Sequence, residues 1–190
     1  MGGPRPRERI LVAATRLFAD EGIHATSVDR VIAEAGVAPM TVYRHFASKD
    51  ELVTATLERW SEQWLGWLRS EARGDDARAR LEGLWDALEK WFADEGFRGS
   101  YVANVATELR AKPGHPAQAI IATHRAAVRE LLQDITTSAD VRSPAEASLQ
   151  LHMLIDGATA AAVVDRQPGA AASARAIATT VLSERQPVRA

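Results

Sequence analysis

With 190 residues, 46% of them apolar and 25% charged, the chain has an ordinary globular composition and enough length for one substantial core or two small ones. It has no cysteine, which excludes disulfides and thiolate-held zinc or iron–sulfur centres and fits a reducing cytoplasm. The net charge of −2 carries no global sign of nucleic-acid binding, and its distribution adds little: residues 1–50 hold seven Arg/Lys against six Asp/Glu, the remainder sixteen against nineteen.

The N-terminal charges precede no apolar stretch of signal-peptide length, and no unbroken apolar run reaches the roughly 20 residues of a membrane span. Residues 1–9, with Arg5, Arg7 and Arg9 around Pro4 and Pro6, are expected to form a flexible basic arm, either solvated or laid along DNA phosphates. Ile10, Leu11, Ala14, Leu17 and Phe18 then mark an amphipathic helix that ends near Gly22.

From Thr26 to Leu52 two short helices flank a glycine turn. Thr26 and Asp29 have capping-box spacing, and Val28, Val31, Ile32 and Ala35 share a face. Gly36 follows where a left-handed residue is needed, and Pro39 opens the second helix. Val42 and Phe46 share that helix's inner face. Ser48 begins a third helix, with Asp50 and Glu51 where acids suit the dipole. This is the helix-turn-helix pattern, whose second helix enters the DNA major groove.

A long helix from Ser48 to about Arg73 carries Val53, Leu57, Trp60, Trp64, Trp67 and Leu68. Further helices carry Leu81 to Phe92, Tyr101 to Leu109 behind Ser100 as cap, and Ile120 to Ile135 beyond the Lys112–Pro116 loop. Ser143, Pro144 and Glu146 read as the capped start of a helix reaching about Val164. Gln167-Pro168-Gly169 separates it from a last helix through Leu182, and Arg185–Ala190 reads as frayed. No strand pattern emerges. The expectation is an all-α chain of about nine helices.

The segment from about Leu11 to Leu57 resembles the TetR family of bacterial transcription regulators. The likeness rests on Leu17-Phe18, Gly22, Thr26-Ser27-Val28, Ile32-Ala33 and Ala35-Gly36-Val37. It continues through Thr41-Val42-Tyr43-Arg44-His45-Phe46 and Ser48-Lys49-Asp50-Glu51-Leu52. The remainder is similar to that family in architecture only. The resemblance implies a helix-turn-helix DNA-binding domain over residues 1–47 and a ligand-binding and dimerisation domain over 48–190. It also implies a homodimer on a near-palindromic operator, released by a small molecule.

Thr26 and Ser27 stand at a helix N-terminus, where free N–H groups attract phosphate. The resemblance adds Tyr43, His45 and Lys49 as backbone contacts. Pro39, Met40, Thr41 and Arg44 remain to meet bases. Pro39 and Met40 suit a thymine methyl, and Arg44 suits either guanine or a phosphate.

The aromatic middle of the chain suggests an apolar small-molecule cavity. Its candidates are Trp64, Trp67, Trp85, Phe92 and Tyr101, with Asn104, Glu108, His124 and His152 as polar groups. Leu151, Leu154, Ile155 and Ala158, with Ala174, Ile177, Ala178 and Val181, are expected to build a four-helix dimer interface.

The leading expectation is a cytoplasmic, ligand-responsive repressor. An activator or ligand-independent DNA binder is the alternative within regulation. An all-α enzyme is the alternative outside it, and no nucleophile–base pair, phosphate loop or metal spacing supports that one. No cofactor, metal or membrane partner is expected.

Overall fold

A computed structural model of the chain describes residues 5–167 and 169–183. Pro168, the tail Arg185–Ala190 and the first four residues of the arm lie outside them. Among the described residues there are nine helices and no β-strand: α1 (Pro6–Glu21), α2 (Val28–Ala35), α3 (Pro39–His45), α4 (Lys49–Glu71), α5 (Ala77–Phe92), α6 (Tyr101–Glu108), α7 (Ala117–Ser138), α8 (Pro144–Val164) and α9 (Ala170–Ser183).

The chain forms two compact units, Met1–Gln63 with Ser100–His124 and Trp64–Gly99 with Arg125–Ala190. The division expected after residue 47 follows role, whereas these units follow packing. The first takes back α6 and the start of α7 because Tyr101, Val102, Val105, Leu109, Ala117 and Ile121 share one core with α1 to α4. That core is centred on Ile10, Leu11, Ala14, Leu17 and Phe18 of α1. The second unit closes around Leu68, Leu84, Trp85, Leu88, Leu132, Ile135, Leu151 and Ala178. Burying a side chain such as Leu17 contributes about 1.5–3 kcal/mol.

The arm is shorter than its composition suggests. Pro6 opens α1, so Arg7 and Arg9 are helical. Arg9 Nη2 donates to the carbonyls of Ala35 (2.7 Å) and Gly36 (2.8 Å), the last acceptors of α2. Gly36 is left-handed there, φ 59°, as the turn requires. The guanidinium of Arg7 sits 5.6 Å from the centre of the Phe46 ring.

Side chains set several of the helix starts. Ser100 and Asp76 accept from the amides of Ala103 and Ala79. Ser48 accepts from Glu51 N (3.1 Å), while the Glu51 carboxylate accepts from Ala47 N (2.7 Å). That reciprocal cap, unremarked at the level of sequence, fixes where α4 begins. Ser143 departs from expectation: it precedes Pro144 at φ −135° and makes no side-chain cap bond.

By length and composition α8 is long and apolar enough to cross a membrane, which counting unbroken apolar runs passed over. Its Leu151, Ile155 and Ala158 are instead committed to the core of the second unit.

If residues 7–9 acted only as an arm, Arg9→Ala would leave stability unchanged. The two charge-assisted bonds to the end of α2 instead predict a loss of about 1 kcal/mol, read by urea denaturation.

Candidate nucleic-acid interface

The helix-turn-helix is held from behind. Val31 and Ala35 of α2, and Val42 of α3 with Phe46 just after it, are buried against α1. A charge lattice spans the outside of α1 and α2: Arg16 pairs with Glu34, and Arg30 lies 3.4 Å from Glu21 and 3.9 Å from Glu34. Such exposed pairs add little stability, but they hold Arg30 against its own protein.

With Val42 turned inward, the opposite side of α3 faces solvent. Met40 is 75% exposed and Tyr43 52%, and Pro39 and Arg44 are exposed with them. Thr41 and His45 are half-buried. Met40 and Arg44 are four apart, so they share a face, with Tyr43 beside them. Arg44 and His45 lie in the last turn of α3, where cations suit the dipole.

At the start of α2 the expected cap shifts by one residue. Ser27 is the N-cap, its Oγ accepting from Arg30 N at 3.1 Å. Its hydroxyl proton stays available to a phosphate. Thr26 does not: it is completely buried, its hydroxyl donates to Gly22 O (2.8 Å), and its amide goes to the same carbonyl (3.2 Å). Thr26 is therefore corrected from a phosphate contact to a tie inside the turn. Lys49 opens α4 half-buried; burial lowers the pKa of its ammonium, and Glu108 works in the opposite sense.

The expected pocket residues fall into two sets. In the first unit, the Tyr101 hydroxyl pairs with Thr56 Oγ1 at 3.0 Å, and burial raises its pKa well above the phenolic range. His124 Nδ1 lies 2.8 Å from Ser61 Oγ, and its ring stacks at a tilt on Trp60. Asn104 is exposed. The Glu108 carboxylate accepts from the backbone amides of Ile23 (2.9 Å) and His24 (3.0 Å), an anchoring role that sequence reasoning missed. Its partners lie more than eighty positions away, so no local pattern signals them.

In the second unit, Trp64, Trp67, Trp91, Phe92 and Phe97 form a continuous ring array, with Trp91 edge-on to Phe97 at 4.9 Å. Trp85 lies fully inside the core, and His152 is buried with Nε2 3.9 Å from Asp156.

The interface residues need correction. Leu151, Ile155, Ala158, Ala174 and Ala178 are buried within their own chain and fill the core of the second unit. Leu154 and Val181 are half-buried against that core. Of the eight, Ile177 is strongly exposed, at 55%. With Met153 of α8 (63% exposed) it lines a groove of about 240 Å³ that also includes Gly157, Ala161 and Ala170, and α8 exposes Leu149 and Val164 (77%) as well. Helical periodicity identified an apolar helix pair but assigned its inner face to the partner.

A short exposed helix, braced on a support helix behind a left-handed glycine turn, with hydroxyl, imidazole and ammonium groups around it, is the arrangement of a helix-turn-helix. Residues 10–56 match the model of the family "Bacterial regulatory proteins, tetR family". That segment is thus similar to the N-terminal part of tetR-family proteins, and the chain as a whole carries the TetR-like fold.

Among curated relatives, the HTH-type transcriptional activator FasR of Mycolicibacterium smegmatis is 32% identical over 122 residues, 62% of this chain and 53% of that protein. The HTH-type transcriptional repressor Rv3405c of Mycobacterium tuberculosis is 44% identical over 73 residues, 38% of this chain and 39% of that protein. The chain thus spans about half or less of the relatives it matches. Among solved structures, SCO4454, a TetR-family transcriptional regulator from Streptomyces coelicolor, superposes with a TM-score of 0.83 at 29% identity, covering 93% of this chain and 94% of that one.

Burial lowers the pKa of the His152 imidazole, Asp156 opposes this, and Arg125 and Arg129 add to it. Below about pH 6.5 the unfolded chain takes up a proton that the folded chain resists, so His152 costs stability as the pH falls and nothing above about pH 7. His152→Gln is expected to reduce the stability lost between about pH 7 and pH 5, measured by denaturant titration at both. An equal loss in the variant would place the acid sensitivity elsewhere.

Proposed function

We propose that the chain is a cytoplasmic, ligand-responsive transcriptional repressor that binds a near-palindromic operator as a homodimer and releases it when a small molecule is bound. The observation that carries this reading is the tetR-family match over residues 10–56, coinciding with the exposed face of α3. In this reading residues 1–47 bind DNA, and residues 48–190 bind the effector and dimerise.

Pro39, Met40 and Thr41 approach bases from α3, and Arg44 reaches either a guanine edge or a phosphate. Ser27, Tyr43, His45 and Lys49 hold the backbone. The ring array of Trp64, Trp67 and Phe92 supports an apolar or planar effector. Dimerisation uses the exposed side of α8 and α9, Met153, Val164 and Ile177, in place of the buried residues. An activator among the relatives supports a second reading, in which the same DNA contacts are made from a site that aids transcription.

The first test is selection of duplexes from a random pool followed by gel shift. A palindromic consensus, released by a compound that binds the protein, is expected for the repressor; unselective binding lost at modest salt would overturn sequence-directed regulation. Arg44→Ala then separates two contacts. A base reader loses about 1–3 kcal/mol at one base pair, whereas a phosphate contact weakens all sequences alike. Met153→Glu combined with Ile177→Glu is expected to give a folded monomer by light scattering. A dimer that persists would sink the interface assignment.

A further inference from the structure

Glu108 is the last residue of α6, and its carboxylate is spent on backbone. Oε1 accepts from the Ile23 amide at 2.9 Å and Oε2 from the His24 amide at 3.0 Å. The Glu108 carbonyl lies 3.3 Å from His24 Nε2. Three contacts therefore join the end of α6 to the turn between α1 and α2. The turn is shaped to receive them. Gly22 has φ +88°, the backbone angle that calls for glycine, and its Cα faces both Glu108 carboxylate oxygens.

The same turn controls the start of α2. The Gly22 carbonyl takes both the amide and the hydroxyl of Thr26. Ser27 follows at once as the N-cap. Fixing Ile23 and His24 thus fixes the direction in which Ser27 leaves the turn.

We infer that Glu108 is a positioning residue for DNA binding: its carboxylate locks the Gly22–Thr26 turn and so aims Ser27 and the first turn of α2 at a backbone phosphate. The inference rests on the DNA-binding function proposed above. A competing role is purely electrostatic. Glu108 lies close enough to Lys49 to favour its charged form. If charge were the whole role, removing the carboxylate would strengthen DNA binding.

The two roles separate in one experiment. A duplex selected by the wild-type protein from a random pool is titrated with wild type, Glu108→Ala and Glu108→Gln, each with and without Ser27→Ala. Positioning predicts that Glu108→Ala binds about tenfold more weakly, from the loss of two charge-assisted bonds. It also predicts that Ser27→Ala, which weakens the wild type, adds little further loss in the Glu108→Ala background, because the two residues serve one contact. Glu108→Gln keeps one acceptor oxygen and falls between the two. Amide hydrogen exchange at Ile23 and His24 rises in the same order.

A merely structural role leaves the Ser27→Ala and Glu108→Ala losses additive, and tighter binding by both Glu108 variants marks a charge effect; either overturns the inference. If Glu108→Ala does not fold, additive losses from Ser27→Ala and Glu108→Gln overturn it as well. A pool from which wild type selects nothing overturns the DNA-binding function, and this inference with it.

Discussion

Seven residues do not hold a helix in water, because nucleation fixes several dihedrals for each early hydrogen bond. α3 has seven, and its N-cap, Ala38, offers no side-chain acceptor. The burial of Val42 and Phe46 against α1 keeps it formed. The outer face of α3 depends on that burial, since it decides which residues of α3 turn outward. The left-handed Gly36, the Arg9 bonds to the end of α2 and the Ser48–Glu51 cap at the start of α4 all work to the same end. They fix both termini of a helix too short to fix itself.

The fold was largely legible in the sequence because its signals are local. Apolar spacing gave every helix, and Pro39, Pro144 and Gly36 gave starts and stops that the structure places within a residue or two. The inner and outer faces of α3 followed from the same spacing. The errors share a cause. Assigning the cap to Thr26 needed knowledge of where its hydroxyl points, and that depends on the Gly22 carbonyl closing the turn. Reading Arg9 as an arm ignored an acceptor pair 26 and 27 residues away.

Periodicity also states which residues are apolar without stating what covers them. Leu151, Ile155 and Ala178 are apolar because their own chain buries them, while Met153 and Val164 on the same helix α8 are apolar and uncovered. The candidate pocket residues divide between the two packing units. Aromatic and polar residues close in sequence are shared between two packing units, and Glu108, an acid among apolar neighbours, serves a backbone turn.

The first packing unit is discontinuous in sequence, since α6 and the start of α7 complete the core that α1 to α4 begin. This bears on synthesis. On the ribosome the chain emerges at about 5–20 residues per second, and a unit folds when its last contributor is free. Here that contributor ends at His124, so the head spends the making of α5 and α6 with Leu57 and its neighbours waiting for Val102, Val105 and Leu109. A nascent chain stalled after α4 carries the whole helix-turn-helix and still lacks α6 and the start of α7, which complete its core.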